Sequence, residues 1–279
     1  TGCNEAFIIS TEKRDEILAN CETEEERART SELIRPILRG RDIKRYGYEW
    51  ANLYLIATFP ACRYDIDNYP AVKDYLVSFA EQNLRESGNN WVADLYLEDY
   101  CKQKLAQTGK FIEIKGKRIY IGNTAEKARK KTSNKWFETQ DSISYWEDFY
   151  KPKIMYPNMT KFMPFYYDEK QFFQNDKSFM ITGEHTAFLT AFLNSSIFKF
   201  CFIDNFPELL GGTRELRKIF FDKIPVLQVS DEVNNTFIPI IESIQMEYTY
   251  EKAKEVDSMI FDLYNLTLEE RQVIGFVEF

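Results

Sequence analysis

Runs of apolar residues along the chain predict short strands alternating with helices. Residues 53–59 form a continuous apolar run that is typical of a buried strand, and residues 154–156 and 179–181 predict two further strands. Residues 71–86 place apolar side chains on one side of a predicted helix. The pattern therefore predicts a mixed α/β (α+β) fold.

The C-terminal part of the chain shows mainly helical periodicity. Residues 184–200 predict one apolar helix in the core. A long helical pattern follows, with near-heptad apolar positions at Phe237, Ile241, Ile244, Tyr248, Val256, Ile260 and Leu263. This spacing is typical of a helix packed along another helix, and it favours core packing over a docking face. Residues 267–270 (TLEE) form a capping box that begins a last helix.

Residues 33–46 (LIRPILRGRDIKRY) place five cations around a proline and a glycine. Pro36 fixes its own φ and favours an extended Arg35, whereas Gly40 allows a turn that a β-carbon would strain. We therefore predict a rigid, cation-rich strand–turn–strand, suited to phosphate oxygens or base edges. Asp42 is expected to orient its neighbouring arginine; the alternative for the whole segment is a solvated turn. The candidate DNA contacts here are Arg39, Arg41 and Lys44.

The net charge of −8 argues against a nucleic-acid partner, but its distribution does not. Residues 102–135 contain eleven Lys or Arg and two acids, so this window carries +9 and the remainder of the chain −17. Such a division indicates a local, positively charged surface that could face nucleic acid. Because the body of the protein is acidic, the isolated chain is expected to bind DNA weakly and with a strong salt dependence.

Residues 110–122 in this basic window predict a β-hairpin whose turn is supplied by Gly116. A two-stranded ribbon is narrow enough for a major groove, where Lys and Arg read guanine edges; the alternative is an ordinary solvated hairpin. The candidate base-reading residues are Lys115, Lys117 and Arg118. Residues 123–136 predict a basic helix or a loop ordered by phosphate, with backbone contacts from Lys127, Arg129, Lys130 and Lys131.

Composition excludes several other classes. A chain of 279 residues forms one large domain or two of ordinary size. Its five cysteines are scattered without C-x-x-C spacing, which argues against a zinc site or a disulfide framework and fits a reducing cytosol. His185, the single histidine, is expected to be a packing or surface residue. No apolar run reaches the length of about 18 residues that a membrane span needs, and no P-loop is present.

Six segments occur in the order known from one protein family. They are TGCNEAFII (residues 1–9), GRDIKRY (40–46), WFET with YKPKIMYPNMT (136–139 and 150–160), FMITGEHTAFLTAFLNSSIFKF (179–200), GGTRELRKIFFDKIPV (211–226) and VDSMIFDLYNLTLEERQVI (256–274). This ordered set resembles the TaqI-like C-terminal specificity domain, the target recognition domain of type IIG restriction–modification enzymes and adenine-specific DNA methyltransferases.

The resemblance implies that residues 1–230 form a target recognition domain for double-stranded DNA and that residues 231–279 form a helical scaffold packed on it. It adds Lys153 and Lys161 as contacts to the DNA backbone, and Thr213 and Arg214 as a further contact to DNA. The chain lacks the family's [NDS]-P-P-[YF] loop, which holds the flipped adenine, so we expect no catalysis and no cofactor in it.

The first residue is Thr1 and not methionine, so we expect the chain to be part of a longer protein. By resemblance, an upstream domain would methylate adenine N6 with S-adenosylmethionine in the bacterial cytoplasm, and a type IIG parent would also cut DNA. Three alternatives remain at this point: a protein-interaction module for an acidic partner, the specificity domain of a nuclease-free phage-defence methyltransferase, and a carbohydrate-active domain using acids such as Asp65 and Asp67.

Charge reversal of Lys115, Lys117 and Arg118 together is expected to abolish site-specific methylation by the full enzyme, because these side chains would face guanine edges. Mapping N6-methyladenine in DNA from cells that express each version measures the effect. An unchanged methylated sequence would remove the hairpin from the set of base-reading elements.

Overall fold

The computed structural model describes residues 4–87, 112–114, 117–119, 134–135, 137–161 and 164–276, with only the backbone described at 80–87, 112–114 and 117–119. The chain divides into two compact units. Unit 1 comprises Thr1–Pro36 and Asn52–Trp146, and unit 2 comprises Ile37–Ala51 and Glu147–Phe279. Both units combine strands and helices, which confirms the predicted mixed α/β class.

The elements of the described residues follow in chain order. Those before residue 120 are α1 (Asn4–Phe7), β1 (Ile8–Ser10), α2 (Thr11–Ala19), α3 (Glu24–Leu33), β2 (Ile34–Leu38), β3 (Ile43–Lys44), β4 (Gly47–Tyr48), β5 (Leu53–Ile56), α4 (Pro70–Ser87), β6 (Ile112–Ile114) and β7 (Lys117–Ile119). Those after residue 150 are β8 (Lys153–Pro157), β9 (Met159–Thr160), β10 (Tyr166–Asp168), β11 (Phe173–Gln174), β12 (Ser178–Ile181), α5 (Thr186–Leu193), α6 (Ser196–Phe202), β13 (Arg214–Glu215), α7 (Lys218–Phe221), α8 (Asp231–Met246), α9 (Tyr250–Leu263) and α10 (Leu268–Ile274).

Unit 1 is built on antiparallel pairing of β5 with β1 and with the start of β2. The predicted strand at 53–59 is thus confirmed, although it ends at Ile56, and the predicted helix at 71–86 is confirmed as α4. The acidic run at residues 21–29 contains one buried carboxylate, Glu26. It accepts hydrogen bonds from the Glu22 and Ala71 N–H groups at 2.9 and 3.0 Å, and so caps the start of α4.

The predicted hairpin in the basic window is confirmed at its two strands. β6 and β7 pair antiparallel, with Glu113 opposite Arg118 and Ile114 opposite Lys117. The turn residues 115 and 116 lie outside the described residues, as do the predicted helix or loop at 123–133 and Trp136.

Unit 2 contains an antiparallel sheet in the order β10–β8–β12, which confirms both predicted strands at 154–156 and 179–181 and makes them neighbours. β11 pairs in parallel with the end of β2, and β13 pairs antiparallel with β9. The helices α5, α6, α8 and α9 cover this sheet with one apolar core.

The prediction of one helix over residues 184–200 is wrong, because the chain breaks after α5 and begins again at α6. The backbone leaves helical geometry at Ser195, which is extended, directly after Asn194, whose side chain bonds to the backbone of Phe165. Ser195 then caps α6 by accepting from the Phe198 N–H at 3.2 Å. The Asp257 carboxylate also accepts from the Ser196 N–H at 2.8 Å. Burial raises the pKa of Asp257, and these hydrogen bonds oppose that shift.

The long C-terminal pattern is likewise two helices, α8 and α9, because Thr249 caps a new helix by accepting from the Lys252 N–H at 3.2 Å. Core packing is confirmed for most of the stripe, and the buried members are Phe237, Ile241, Ile244, Val256 and Ile260. The capping box at Thr267 and Glu270 begins α10 as predicted. The helices α8 and α9 share one core with α5 and α6 and belong to the same unit, and the domain boundary after residue 230 stays a prediction.

No single helix in the described part of the chain is long and apolar enough to cross a membrane, although the bent pair Thr186–Leu193 and Ser196–Asn205 would qualify by length and composition.

Lys153 is fully buried, which corrects its predicted role as a contact to the DNA backbone. Its Nζ donates to the Phe149 carbonyl at 2.7 Å and forms an ion pair with Asp168, which is also fully buried. The Asp168 carboxylate further accepts from the Lys170 and Phe172 N–H groups at 3.1 and 3.0 Å. The pair is thus satisfied by its surroundings and belongs to the interior of the β8–β10 sheet.

Lys153→Ala is expected to destabilise the protein by about 3–5 kcal/mol, because it leaves the Asp168 charge buried without a partner. Lys151→Ala is the matched control, since Lys151 pairs with Asp148 at the surface and its loss should leave the stability nearly unchanged. Chemical denaturation followed by circular dichroism measures both. Equal unfolding midpoints for the two variants would contradict the structural role of Lys153.

Candidate nucleic-acid interface

The cation-rich segment folds as a strand, a turn and a second strand, as predicted, and the second strand begins a short hairpin that was not predicted. Residues Gly40–Asp42 form a 3-10 turn after β2, and β3 and β4 then pair antiparallel. Gly40 lies against the backbone of Lys177, where a β-carbon would collide with the carbonyl oxygen. Glycine is therefore required here by close approach of two backbones, and not by a positive φ.

Asp42 stabilises the turn through hydrogen bonds from Arg39. The buried carboxylate accepts from Arg39 Nε at 2.9 Å, from Arg39 Nη2 at 2.8 Å and from the Arg39 backbone N–H at 2.9 Å. These bonds raise the pKa of the Arg39 guanidinium. The predicted orienting role of Asp42 is confirmed. Arg39 stabilises the turn, because its Nε and Nη2 groups both donate to Asp42.

Arg45 anchors the hairpin to the helical core of unit 2. Its guanidinium donates to the Asn194 carbonyl at 2.7 Å and to the Tyr248 hydroxyl at 3.1 Å, and it lies over the Tyr46 ring. The Tyr46 N–H donates to the Phe165 carbonyl at 3.1 Å, and burial raises the pKa of the Tyr46 hydroxyl above its usual range. The hairpin is therefore fixed at its tip before any ligand binds.

The turn forms one wall of a cleft of about 500 Å³, which contains the exposed cations of this face. Arg41 is exposed and forms no ion pair with any residue that the structure describes. Lys44 is half exposed, with its Nζ 3.3 Å from Glu49, and Lys177 is exposed beside Asp176. Surface ion pairs of this kind are weak, so these lysines remain available to an anion.

The floor of the cleft is formed by the end of β8, the connecting residue Asn158 and β9. It presents Pro157, Asn158, Met159 and Thr160 to the cavity, and the predicted contact Lys161 is exposed directly after them. The Asn158 N–H donates to the Lys177 carbonyl at 3.0 Å, and its carbonyl accepts from the Leu216 N–H at 2.9 Å. The floor is thus tied on both sides by backbone hydrogen bonds.

Arg214 supports the loop next to this floor and does not line the cleft. Its Nη1 donates to the carbonyls of Ile203 and Phe206 at 3.0 and 2.7 Å, and its Nη2 lies 3.3 Å from both Asp204 and Glu208. The guanidinium is therefore directed at the protein, which replaces the predicted DNA contact with a structural role.

The loop that Arg214 supports carries the remaining predicted residue, Thr213, whose carbonyl accepts from the Leu209 N–H at 2.6 Å. Gly211 and Gly212 both have a φ of 76°, a backbone conformation that residues with a β-carbon rarely adopt. Leu210 at the tip is 99% exposed. Thr213 stays a prediction as a DNA contact.

The remaining candidates belong to the basic window of unit 1. Lys117 and Arg118 lie on β7, of which the structure describes the backbone, and their role stays a prediction. The other five lie outside the described residues: Lys115, Lys127, Arg129, Lys130 and Lys131.

Sequence reasoning missed Asn158 and Lys177 as members of the site. Asn158 lies within the segment YPNMT, where the resemblance suggested contacts only from the flanking Lys153 and Lys161. Lys177 follows a polar turn and has no local signal, since its place in the cleft depends on the pairing of β8 with β12.

Other chemistry is scarce in the described ranges of both units. No group of three His, Cys, Asp or Glu side chains there is placed to hold a metal ion. His185 lies at the start of α5 with Nε2 3.1 Å from Asp231, which fits the expected surface role. Cys21, Cys62 and Cys201 are free thiols.

Residues 108–226 match the family model of the TaqI-like C-terminal specificity domain, and no curated protein matches the chain. The resemblance seen in the sequence is thereby confirmed for this range, which contains the floor of the cleft and Lys177. A domain of this family implies a DNA-specificity role in enzymes of the restriction–modification type. The turn at Gly40–Asp42 precedes the matched range and forms the wall of the same cleft.

Gly40→Ala is expected to destabilise the protein by about 1–3 kcal/mol, because the added methyl group collides with backbone rather than with a movable side chain. Gly47→Ala, in the same hairpin, is the matched control, because its β-carbon meets no atom within 4 Å. Equilibrium denaturation compares the two, and a loss at Gly47 as large as that at Gly40 would argue against the close approach.

Proposed function

We propose that this chain is the sequence-specific recognition module for double-stranded DNA of a restriction–modification enzyme. The observation that carries the proposal is the cleft of unit 2, in which Arg41 and Lys44 face a floor that belongs to the matched specificity domain. The turn that carries Arg41 is braced by the bond between Asp42 and Arg39, and the hairpin that carries Lys44 is anchored by Arg45. Because the backbone under these cations is already ordered, binding to phosphate oxygens costs only the ordering of their side chains, which favours binding.

The acidic net charge limits how strongly the isolated chain can bind. With a formal charge of −8, the protein repels DNA at long range, and attraction is confined to the cleft and to the basic window. Each phosphate contact by Lys or Arg releases condensed counterions and steepens the salt dependence by about 0.9 in the log–log slope. Binding is therefore expected at low ionic strength.

Methylation is assigned in this proposal to a domain upstream in the same polypeptide. That domain would bind S-adenosylmethionine and transfer its methyl group to adenine N6, since the present chain lacks the family's target-base loop. A type IIG parent would also contain an endonuclease, whereas a phage-defence methyltransferase would not. The work of either enzyme on DNA would take place in the bacterial cytoplasm. Mapping N6-methyladenine in cells that express the complete coding sequence tests this part.

The double variant Arg41→Ala/Lys44→Ala is expected to weaken binding to every duplex and to lower the salt slope by about 2, because two phosphate contacts are lost. Fluorescence anisotropy of a labelled duplex, titrated with the chain at several salt concentrations, measures both quantities. The control is Lys223→Ala/Lys254→Ala, which removes two exposed cations that do not line the cleft.

Equal losses in the two double variants would show that binding follows overall charge, and the cleft would then have no special role. Absence of binding to any duplex at low salt by the wild-type chain would contradict the proposed function. Retention of an acidic protein partner after nuclease treatment would favour the interaction-module alternative.

A further inference from the structure

We propose that Asn158 reads an adenine from the major groove of the bound duplex. This inference rests on the proposed function, and it names the side chain and the base that carry part of the sequence preference. Asn158 lies on the floor of the cleft, between the wall formed by Arg41 and Lys44 and the apolar residues beside it.

The backbone of Asn158 is held by hydrogen bonds, while its side-chain carboxamide forms none with the residues that the structure describes. Both of its backbone groups are hydrogen-bonded, to Lys177 and to Leu216 at 3.0 and 2.9 Å. Within the part of the chain that the structure describes, its side-chain amide makes no hydrogen bond. A carboxamide offers two N–H donors and an acceptor oxygen, so a partly buried one placed in a cleft suits a ligand with one donor and one acceptor side by side.

The surroundings of Asn158 divide by chemistry as a base-reading site requires. Arg41 and Lys44 on the wall suit the phosphates that border a groove, because they add charge without reading sequence. Pro157 and Met159 on either side of Asn158 are apolar, and Met159 is 50% exposed. Such a surface suits the methyl group that thymine presents next to its partner adenine.

Adenine is the base whose major-groove edge fits this side chain. Its N7 accepts and its N6 amino group donates, so a single carboxamide satisfies both at once. Guanine presents two acceptors, which would place its O6 against the Asn158 oxygen, and cytosine presents mainly a donor. Discrimination against the wrong base is expected to be about tenfold, or 1.4 kcal/mol.

The test separates base reading from charge attraction, because Asn158 is neutral. The full chain is used to select duplexes from a library with a randomised region at low salt, and the selected sequences are counted. The wild type should favour adenine at one position. In Asn158→Ala, the preference for adenine over the other bases should fall about tenfold at that position alone. The salt slope of this variant should equal that of the wild type.

Asn158→Asp supplies a second variant of nearly the same shape, which keeps the test valid if the alanine variant does not fold. A carboxylate only accepts, so the preferred base at that position should change from adenine to cytosine. Asn205→Ala is the matched control, since Asn205 is an exposed asparagine that does not line the cleft, and it should select the same sequences as the wild type.

Two failures are distinguishable. If the wild-type chain binds no duplex or selects no sequence, the proposed function fails and this inference fails with it. If the wild type selects a sequence and both Asn158 variants select the same one with the same strength, the proposed function stands and the role of Asn158 is overturned.

Discussion

The carboxamide of Asn194 joins the parts of unit 2 on which the candidate site depends. Its Nδ2 donates to the Phe165 carbonyl at 2.8 Å, and its Oδ1 accepts from the Phe165 N–H at 3.2 Å, as a neighbouring strand would. The Asn194 backbone carbonyl accepts from Arg45, and the Phe165 carbonyl also accepts from the Tyr46 N–H. The fully buried Asn194 side chain thus lies at the end of α5 and fixes the residue before β10, and the backbone carbonyls of Asn194 and Phe165 hold the β3–β4 hairpin. Unsatisfied polar groups at this depth are costly, so the arrangement is strongly specified.

The cations of unit 2 divide into those that hold the structure and those that face solvent. Lys153, Arg39, Arg45 and Arg214 donate to buried carboxylates or to backbone carbonyls, so their charge is used within the protein. The solvent-facing cations of the cleft region are Arg41, Lys44, Lys161 and Lys177. The first group helps to place the second, because Arg39 holds the turn that carries Arg41 and Arg45 anchors the hairpin that carries Lys44. This division explains how an acidic protein can present a local cationic surface.

Local signals predicted much of the secondary structure. The apolar runs at β5, β8 and β12, the capping box of α10 and the strand–turn–strand around Gly40 were all recognisable, because each depends on residues close in the chain. The helix breaks at Asn194 and before Thr249 were not recognised. In both places apolar periodicity continues across the break. At the first break the Asn194 side chain bonds to the distant Phe165, whereas at the second the Thr249 side chain caps a new helix through the nearby Lys252 N–H. Periodicity alone therefore joined helices that are separated by a long-range hydrogen bond in one place and by a local cap in the other.

The sequence by itself determined the mixed α/β class, the TaqI-like resemblance and the presence of a cationic turn, since these follow from composition and from motifs of a few residues. Only the tertiary structure decided which cations are available. Lys153 and Arg214 have the same local character as Lys161, yet the first two are turned inward by Asp168 and by carbonyls from another loop. The availability of a charge depends on partners that folding brings from far along the chain, and a linear pattern contains no information on their distance.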